Sequence, residues 1–438
     1  MDLSRRRFGV GLAALSATAL LGGSAQSAEP TRILRSWYSL ILELVRQTPT
    51  YSPPVAARAF AYLGITTFET VASGSRSLKS LAGQARGLAG VPARTPGVRY
   101  DEAVIVHAAL ATGAQSFFGN TGPSGLRAMK ALEKKLHKEA AQGLDPAVWE
   151  ASAAYGKAVA EHIDNWARQD GGGQVENLGF PDQYTLTEGP AHWVPTSTIA
   201  LQQKPLLPKW GDCLPIAMPQ GGACPLPPPP TYSEDPASEF YRQAVEVRDA
   251  VKNLDDEKRA IARFWSDDPM LSPTPPGHWM WIAMQIFEKE NTDLEKSVEV
   301  LARLGMAISD GFIACWKSKF EFDLLRPVTY IKRVIDKTWE PLLITPPFPE
   351  YPSGHSTQSG AAATVLAQDF GETFAFTDAT HVRDGLKPRS FGSFWAAAEE
   401  AAVSRLYGGI HYRAAIDFGL EQGKCVGKFV NMLKTRVA

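Results

Sequence analysis

Phe348-Pro349-Glu350-Tyr351-Pro352-Ser353-Gly354-His355, followed by the small-residue run Ser356 to Asp369, is the stretch around which the chain is organised. Ser353 is a good N-cap for a helix, so backbone N–H groups, a hydroxyl, a flexible glycine and a histidine converge at one helix start. An oxyanion would sit there. Taken alone, the stretch is an ordinary capped helix with an incidental histidine, and its meaning depends on its surroundings. Those surroundings read as helix. Apolar residues recur at helical spacing over Ile33 to Arg46, Val55 to Ala72, Asp101 to Phe118, Ser124 to Gln142, Pro146 to Arg168 and Ser238 to Leu254. Strand signals are scarce, which predicts an all-α protein: helical bundles, two four-helix bundles in one large domain, with long surface loops.

A length of 438 residues is enough for a large core, and the net charge of −1 gives no electrostatic reason to expect nucleic acid or an anionic membrane as partner. Any basic site must be local. At the amino terminus, Ser4-Arg5-Arg6-Arg7-Phe8 precedes an apolar run from Gly9 to about Leu21 and then small residues. This reads as a twin-arginine signal peptide over 1–28, leaving a helical domain over 29–438. The expected location is periplasmic or extracellular, with the twin-arginine export machinery as a partner and no stable membrane anchor. An irregular Pro/Gly-rich connection at about 170–233 holds Gly171-Gly172-Gly173, Gly221-Gly222 and Pro227 to Pro230. Cys213 and Cys224 flank part of it and are candidates for a loop-stapling disulfide, whereas Cys315 and Cys425 fall in helical patterns and read as buried thiols.

Positive groups are needed to make the Ser353 helix start a site. Lys319 and Arg326 are seven residues apart, two helical turns, and point to nearly the same side if one helix carries both. Trp316, Phe320, Phe322, Leu324 and Leu325 flank them, a setting that aims charge at an anion better than at solvent. Later come Ser404-Arg405-Leu406-Tyr407-Gly408-Gly409-Ile410-His411. On a continuous helix Arg405 and His411 would diverge, but the glycine pair can interrupt the helix and return His411 to the face of Arg405. Two arginines, a lysine, the Ser353-Gly354 helix start and two histidines, His355 and His411, together specify a site for a multiply charged tetrahedral oxyanion. Thr274-Pro275-Pro276-Gly277-His278-Trp279 reads as a turn feeding another apolar helix, with His278 equally structural or lining the site entrance.

The series Lys319-x6-Arg326-Pro327, Pro352-Ser353-Gly354-His355 and Ser404-Arg405-x5-His411 resembles the three-part signature shared by vanadium-dependent haloperoxidases and the type 2 phosphatidic-acid phosphatase and acid-phosphatase superfamily. Finer residues, Trp316 to Phe322 and Pro346 to Pro352, resemble the vanadium chloroperoxidase branch. That resemblance implies vanadate as cofactor, phosphate being able to occupy the same site, held by Lys319, Arg326, Ser353, Gly354 and Arg405 with His411 bonded to the metal. It implies His355 as acid–base group, Lys319 as the group polarising bound peroxide, Asp268 as the carboxylate supporting the acid–base histidine, and Trp316 and Phe348 as a halide-side wall. The implied substrates are hydrogen peroxide, a halide (bromide, or chloride) and a small organic acceptor. A vanadate-inhibited acid phosphatase acting through a phosphohistidine is the alternative, and a non-catalytic oxyanion-binding protein the third reading. One departure stands out: the superfamily often orients the second histidine with an Asp four residues later, where this chain has Ala415. The nearest acid in sequence is Asp417, and a main-chain carbonyl is the other candidate.

Overall fold

The computed structural model describes residues 29–197 and 202–437, so the export signal read at 1–28 lies outside the described residues. The amino-terminal half is built from α1 (Pro30–Arg46), α2 (Pro53–Ala72), α3 (Glu102–Phe118), α4 (Gly122–Ala140) and α5 (Pro146–Ala167). A single turn, α6 (Gly172–Val175), opens the long irregular connection. Beyond it lie α7 (Glu239–Lys252), α8 (Asp256–Phe264), α9 (Thr274–Lys289), α10 (Leu294–Phe322), α11 (Pro327–Val334), α12 (Gly354–Phe370), α13 (Phe394–Tyr407) and α14 (Arg413–Met432). The described chain is all-α apart from one short antiparallel hairpin, β1 (Phe376–Asp378) and β2 (Arg389–Phe391), in which Phe376 faces Phe391.

The helix pattern reflects burial. α1 is amphipathic, whereas almost every residue of α2 and most of α10 is buried, because both are covered all round. α10 is the shared wall of the two halves: one face packs on α2, the other on α12 and α14. A single apolar cluster therefore runs from Ile33 in α1 to Val430 in α14. A second cluster, with Phe240, Tyr330, Tyr351 and Tyr412, fills the space beneath the site. Small residues let α12 and α14 approach closely. A Cβ placed on Gly423 would lie 2.0 Å from the Thr357 carbonyl oxygen, so the backbones touch there.

Three expectations are corrected. α10 stops at Phe322 and Asp323 turns left-handed at φ 46°, so Lys319 and Arg326 do not share a helix. Pro327 opens α11 and pushes Arg326 into an extended conformation, and it is this turn that returns Arg326 towards Lys319. The Thr274-Pro275-Pro276-Gly277 segment is the first turn of α9, with proline where the helix has no N–H to lose, and not a turn ahead of it. The disulfide joins Cys224 to Cys425, while Cys213 and Cys315 are free and buried. Proximity in sequence misled here, because the connection leaves Cys213 and lays Cys224 over α14.

That connection is fastened along α10. The Asp310 carboxylate accepts the backbone N–H groups of Ile216, Ala217 and Met218 at 2.7, 2.8 and 3.0 Å. Burial raises its pKa to about 6 against those bonds. The Trp316 indole N–H donates to the Leu206 carbonyl at 3.2 Å, and the Tyr351 hydroxyl to Pro227 at 2.7 Å. Among the described residues no helix is long and apolar enough to cross a membrane.

Candidate active site

His411 lies between α13 and α14. Gly409 adopts φ 78°, which only glycine takes at little cost, and it abuts Val251 and Pro341 so closely that no Cβ fits. The helix break expected from the glycine pair is present, and His411 turns inward, 3% exposed. Its Nδ1 donates to Glu350 Oε1 at 2.7 Å, and the same oxygen accepts the Tyr412 N–H at 2.9 Å. A carboxylate on Nδ1 fixes the proton there and leaves the lone pair on Nε2. Burial first, then Arg326 and Lys319, holds His411 well below the ordinary histidine range, so it is neutral. Glu350 thus does the orienting that neither Asp417 nor a main-chain carbonyl supplies. The Ala415 carbonyl is otherwise engaged, accepting the Ser353 N–H at 3.0 Å.

Arg326 faces His411, its Nη1 3.3 Å from His411 Nε2 and 3.0 Å from the Ile410 carbonyl it also serves. Its Nε donates to the Phe348 carbonyl at 2.8 Å, while Nη2 is buried with no partner. Lys319 is wholly buried, and its Nζ donates to the carbonyls of Pro349, Glu350 and Pro352. Burial lowers its pKa to about 7, yet three acceptors can be served together only by the protonated amine with its three N–H bonds. Phe348 lies under both cations, 5.2 Å from Lys319 Nζ and 5.0 Å from the Arg326 guanidinium carbon, and 4.9 Å from the Trp316 ring. The two proposed wall aromatics therefore form one surface beside the cations.

Arg405, from the last turn of α13, donates Nη1 to the Trp265 carbonyl at 2.7 Å and keeps a buried Nε without a partner. Burial lowers its pKa to about 10, opposed by Asp268 and Asp267. Ser353 caps α12, its Oγ accepting the Ser356 N–H at 3.3 Å. Gly354 and His355 form the first turn, whose N–H groups have no acceptor within the helix. His355 is 14% exposed on its side chain, against 4% for His411. Its Nε2 has no partner and lies 3.8 Å from Asp267 Oδ2. Burial, then Arg405, holds His355 well below the ordinary histidine range, and Asp267 pulls the other way.

The carboxylate beside His355 is Asp267, not the expected Asp268. Asp267 sits at φ 51°, a left-handed turn that separates the two neighbouring side chains and leaves Asp268 as an electrostatic partner of Arg405. Behind Asp267 lies a buried histidine cluster. His278 Nδ1 is 2.9 Å from Asp267 Oδ1 and its Nε2 is 2.7 Å from Asp378 Oδ2. Burial alone would lower the pKa of His278, but the two carboxylates raise it to about 10. Against its own burial, Asp267 is held well below the usual carboxylate range, chiefly by His278.

The donors left over suit a tetrahedral oxyanion. Arg326 Nη2 and Arg405 Nε are buried donors without a partner, and with the unpartnered acceptor His355 Nε2 they surround a helix start and a neutral imidazole. Vanadate or phosphate fits this set. A surface cavity of about 650 Å³, lined by Glu372, Glu399, Asp417 and Glu421 among others, shares no residue with it and has the wrong charge for an anion. Sequence reasoning missed Glu350, although a carboxylate between Pro349 and Tyr351 in an anion-binding loop was a signal. It also missed Asp267, Asp378 and His381, which no spacing connects.

Residues 299–437 match the family profile described as the VCPO second helical-bundle domain. The vanadium chloroperoxidase of Curvularia inaequalis is 25% identical over a match covering 42% of this chain and 42% of its own length, so the chain spans less than half of that curated relative. The fold is similar to a holo-type bacterial vanadium-dependent chloroperoxidase at TM-score 0.69 and 17% identity, covering 94% of this chain and 99% of the other. A structure described as the first bacterial vanadium-dependent iodoperoxidase matches at TM-score 0.85 and 35% identity, covering 95% of this chain and 99% of the other. With that identity along nearly the whole of both chains, the protein belongs to the vanadium-dependent haloperoxidase family.

Proposed function

We propose that the chain is a vanadate-dependent haloperoxidase that oxidises iodide and bromide, and chloride less readily, with hydrogen peroxide. Iodide is placed first because the 35%-identical structure, at TM-score 0.85, is described as an iodoperoxidase. The observation that carries the reading is the set of buried, unpartnered donors around a neutral His411. Arg326, Arg405 and the Ser353-Gly354 helix start would hold vanadate, with Lys319 adding positive charge beside it, and His411 Nε2 would bond its metal. When bound, vanadate supplies a Lewis-acidic centre that activates peroxide without a change of oxidation state. Glu350 keeps the proton of His411 on Nδ1, so Nε2 stays a ligand. His355, neutral at rest and the more exposed of the two histidines, accepts the proton of incoming peroxide at Nε2. Lys319, held as an ammonium by three carbonyls, and the two arginines supply fixed positive charge that needs no reorganisation. Trp316 and Phe348 keep water from that side of the pocket.

The test is reconstitution of metal-free protein with orthovanadate. Iodide oxidation by peroxide should be absent without vanadate and saturate as it is added. No vanadate-dependent turnover with iodide, bromide or chloride would dismiss the proposal. Export is proposed alongside it, supported by Arg5-Arg6-Arg7-Phe8 in the sequence and by a disulfide that favours an oxidising compartment.

A further inference from the structure

His278 and His381 are not needed by the oxyanion chemistry, yet they are buried beside it with Asp267. The three come from separate places: the loop after α8, the first turn of α9 and the turn that follows β1. Asp267 Oδ1 is 2.9 Å from His278 Nδ1 and 3.5 Å from His381 Nε2, and one ligand atom from each residue lies within 4.8 Å of the others. Each imidazole presents its remaining nitrogen to a second carboxylate: His278 Nε2 to Asp378 at 2.7 Å and His381 Nδ1 to Asp384 at 3.1 Å. That pattern, a carboxylate behind each histidine, is how metal-ligating imidazoles are fixed in tautomer and direction.

The facing atoms give the second argument. With the His381 proton on Nδ1, where Asp384 accepts it, Nε2 carries a lone pair. That nitrogen is buried without a hydrogen-bond partner and points at an Asp267 oxygen. Two lone pairs 3.5 Å apart repel unless a proton or a metal cation lies between them. A tetrahedral ion with bonds of about 2.0–2.1 Å separates its ligand atoms by about 3.4 Å, which matches the 3.5 Å between Asp267 and His381, while the 2.9 Å between Asp267 and His278 would have to open. Phe264 and Trp265 hold the rings: Trp265 stacks on His278 at 4.6 Å and Phe264 meets His381 edge-on at 5.2 Å.

We propose that Asp267, His278 and His381 form a structural divalent-cation site, of the two-histidine, one-carboxylate kind that takes zinc or a neighbouring transition metal. The ion takes the place of the proton between His278 and Asp267, so it binds with proton release. It ties the strained Asp267 loop to α9 and to the hairpin, and through Asp267 it fixes the carboxylate next to His355. The site adjoins the oxyanion pocket through Asp267 but uses none of the groups proposed to hold vanadate, so it stands whether or not that pocket takes vanadate.

The experiment is elemental analysis of the full chain purified without chelator, with zinc, manganese, iron, cobalt, nickel, copper and vanadium counted together. About one divalent ion per chain is expected, independent of the vanadium count. After exchange with Co2+ alone, visible d–d bands should appear, and they should be lost in His381→Ala. Circular dichroism checks that variant; if it does not fold, the wild-type count and cobalt spectrum decide. Divalent metal at buffer level, both as purified and after incubation with Zn2+ or Co2+ and desalting, overturns the proposal in favour of a protonated cluster. Unchanged metal content in folded His381→Ala overturns it as well.

Discussion

Replacing Glu350 tests how the pocket controls His411. Glu350 Oε1 accepts two hydrogen bonds, from His411 Nδ1 at 2.7 Å and from the Tyr412 N–H at 2.9 Å. Glu350→Ala removes both. The imidazole then loses the only carboxylate within hydrogen-bond reach among the described residues, and nothing fixes its tautomer. Loss of such an orienting partner costs about 10–100-fold in metal affinity, which is about 1.4–2.8 kcal/mol. Leaving the Tyr412 N–H buried and unpaired costs about another 1–3 kcal/mol, in stability and not in binding. Glu350→Gln separates the two effects. Its oxygen can keep both bonds without the negative charge, so it should recover most of the stability and part of the affinity. The assay is vanadate titration of each variant, read by halide oxidation and by calorimetry, beside thermal unfolding. A folded Glu350→Ala protein that binds vanadate within about twofold of wild type would refute the assignment of His411 tautomer control to Glu350.

Asp267→Asn and Asp268→Asn should act differently. Asp267 pulls the His355 pKa upward, so its loss should move the acid limb of the pH–rate profile to lower pH, because His355 stays neutral further down. Asp268→Asn should mainly weaken vanadate binding through Arg405; equal effects on the acid limb would contradict the placement. Cys425→Ser should lower stability by about 2–5 kcal/mol in denaturant unfolding, whereas Cys213→Ser should leave the disulfide count unchanged. Gly423→Ala drives a methyl into the Thr357 carbonyl and should cost at least about 1–3 kcal/mol, with lower vanadate affinity because α12 carries Ser353 and Gly354. Wild-type melting and binding in that variant would refute the close contact.

Helices were legible because their signals are local. Periodicity and caps placed α2, α5 and α12 within a few residues, and Ser353 caps α12 as its position implies. The cation set was legible through residue type and order, although the reason given for Lys319 and Arg326 was wrong: Asp323 ends the helix, and the return turn had no signal beyond Pro327. Pairings across long separations were not legible. Cys224 with Cys425 depends on the path of an irregular connection, and Asp267 rather than Asp268 beside His355 depends on a single left-handed residue. The His278 and His381 cluster brings together three segments, one of them fixed by a hairpin too short to announce itself.

The central claim is that one cradle, formed by Lys319, Arg326, Arg405, Ser353-Gly354 and His411, uses vanadate to oxidise halide. The most direct measurement runs iodide oxidation by peroxide and hydrolysis of a chromogenic phosphate ester on the same protein, each across a vanadate titration. The account predicts halide oxidation that rises and saturates with vanadate and is lost in His411→Ala. Ester hydrolysis that is abolished by vanadate, with no halide oxidation at any vanadate concentration, would contradict it.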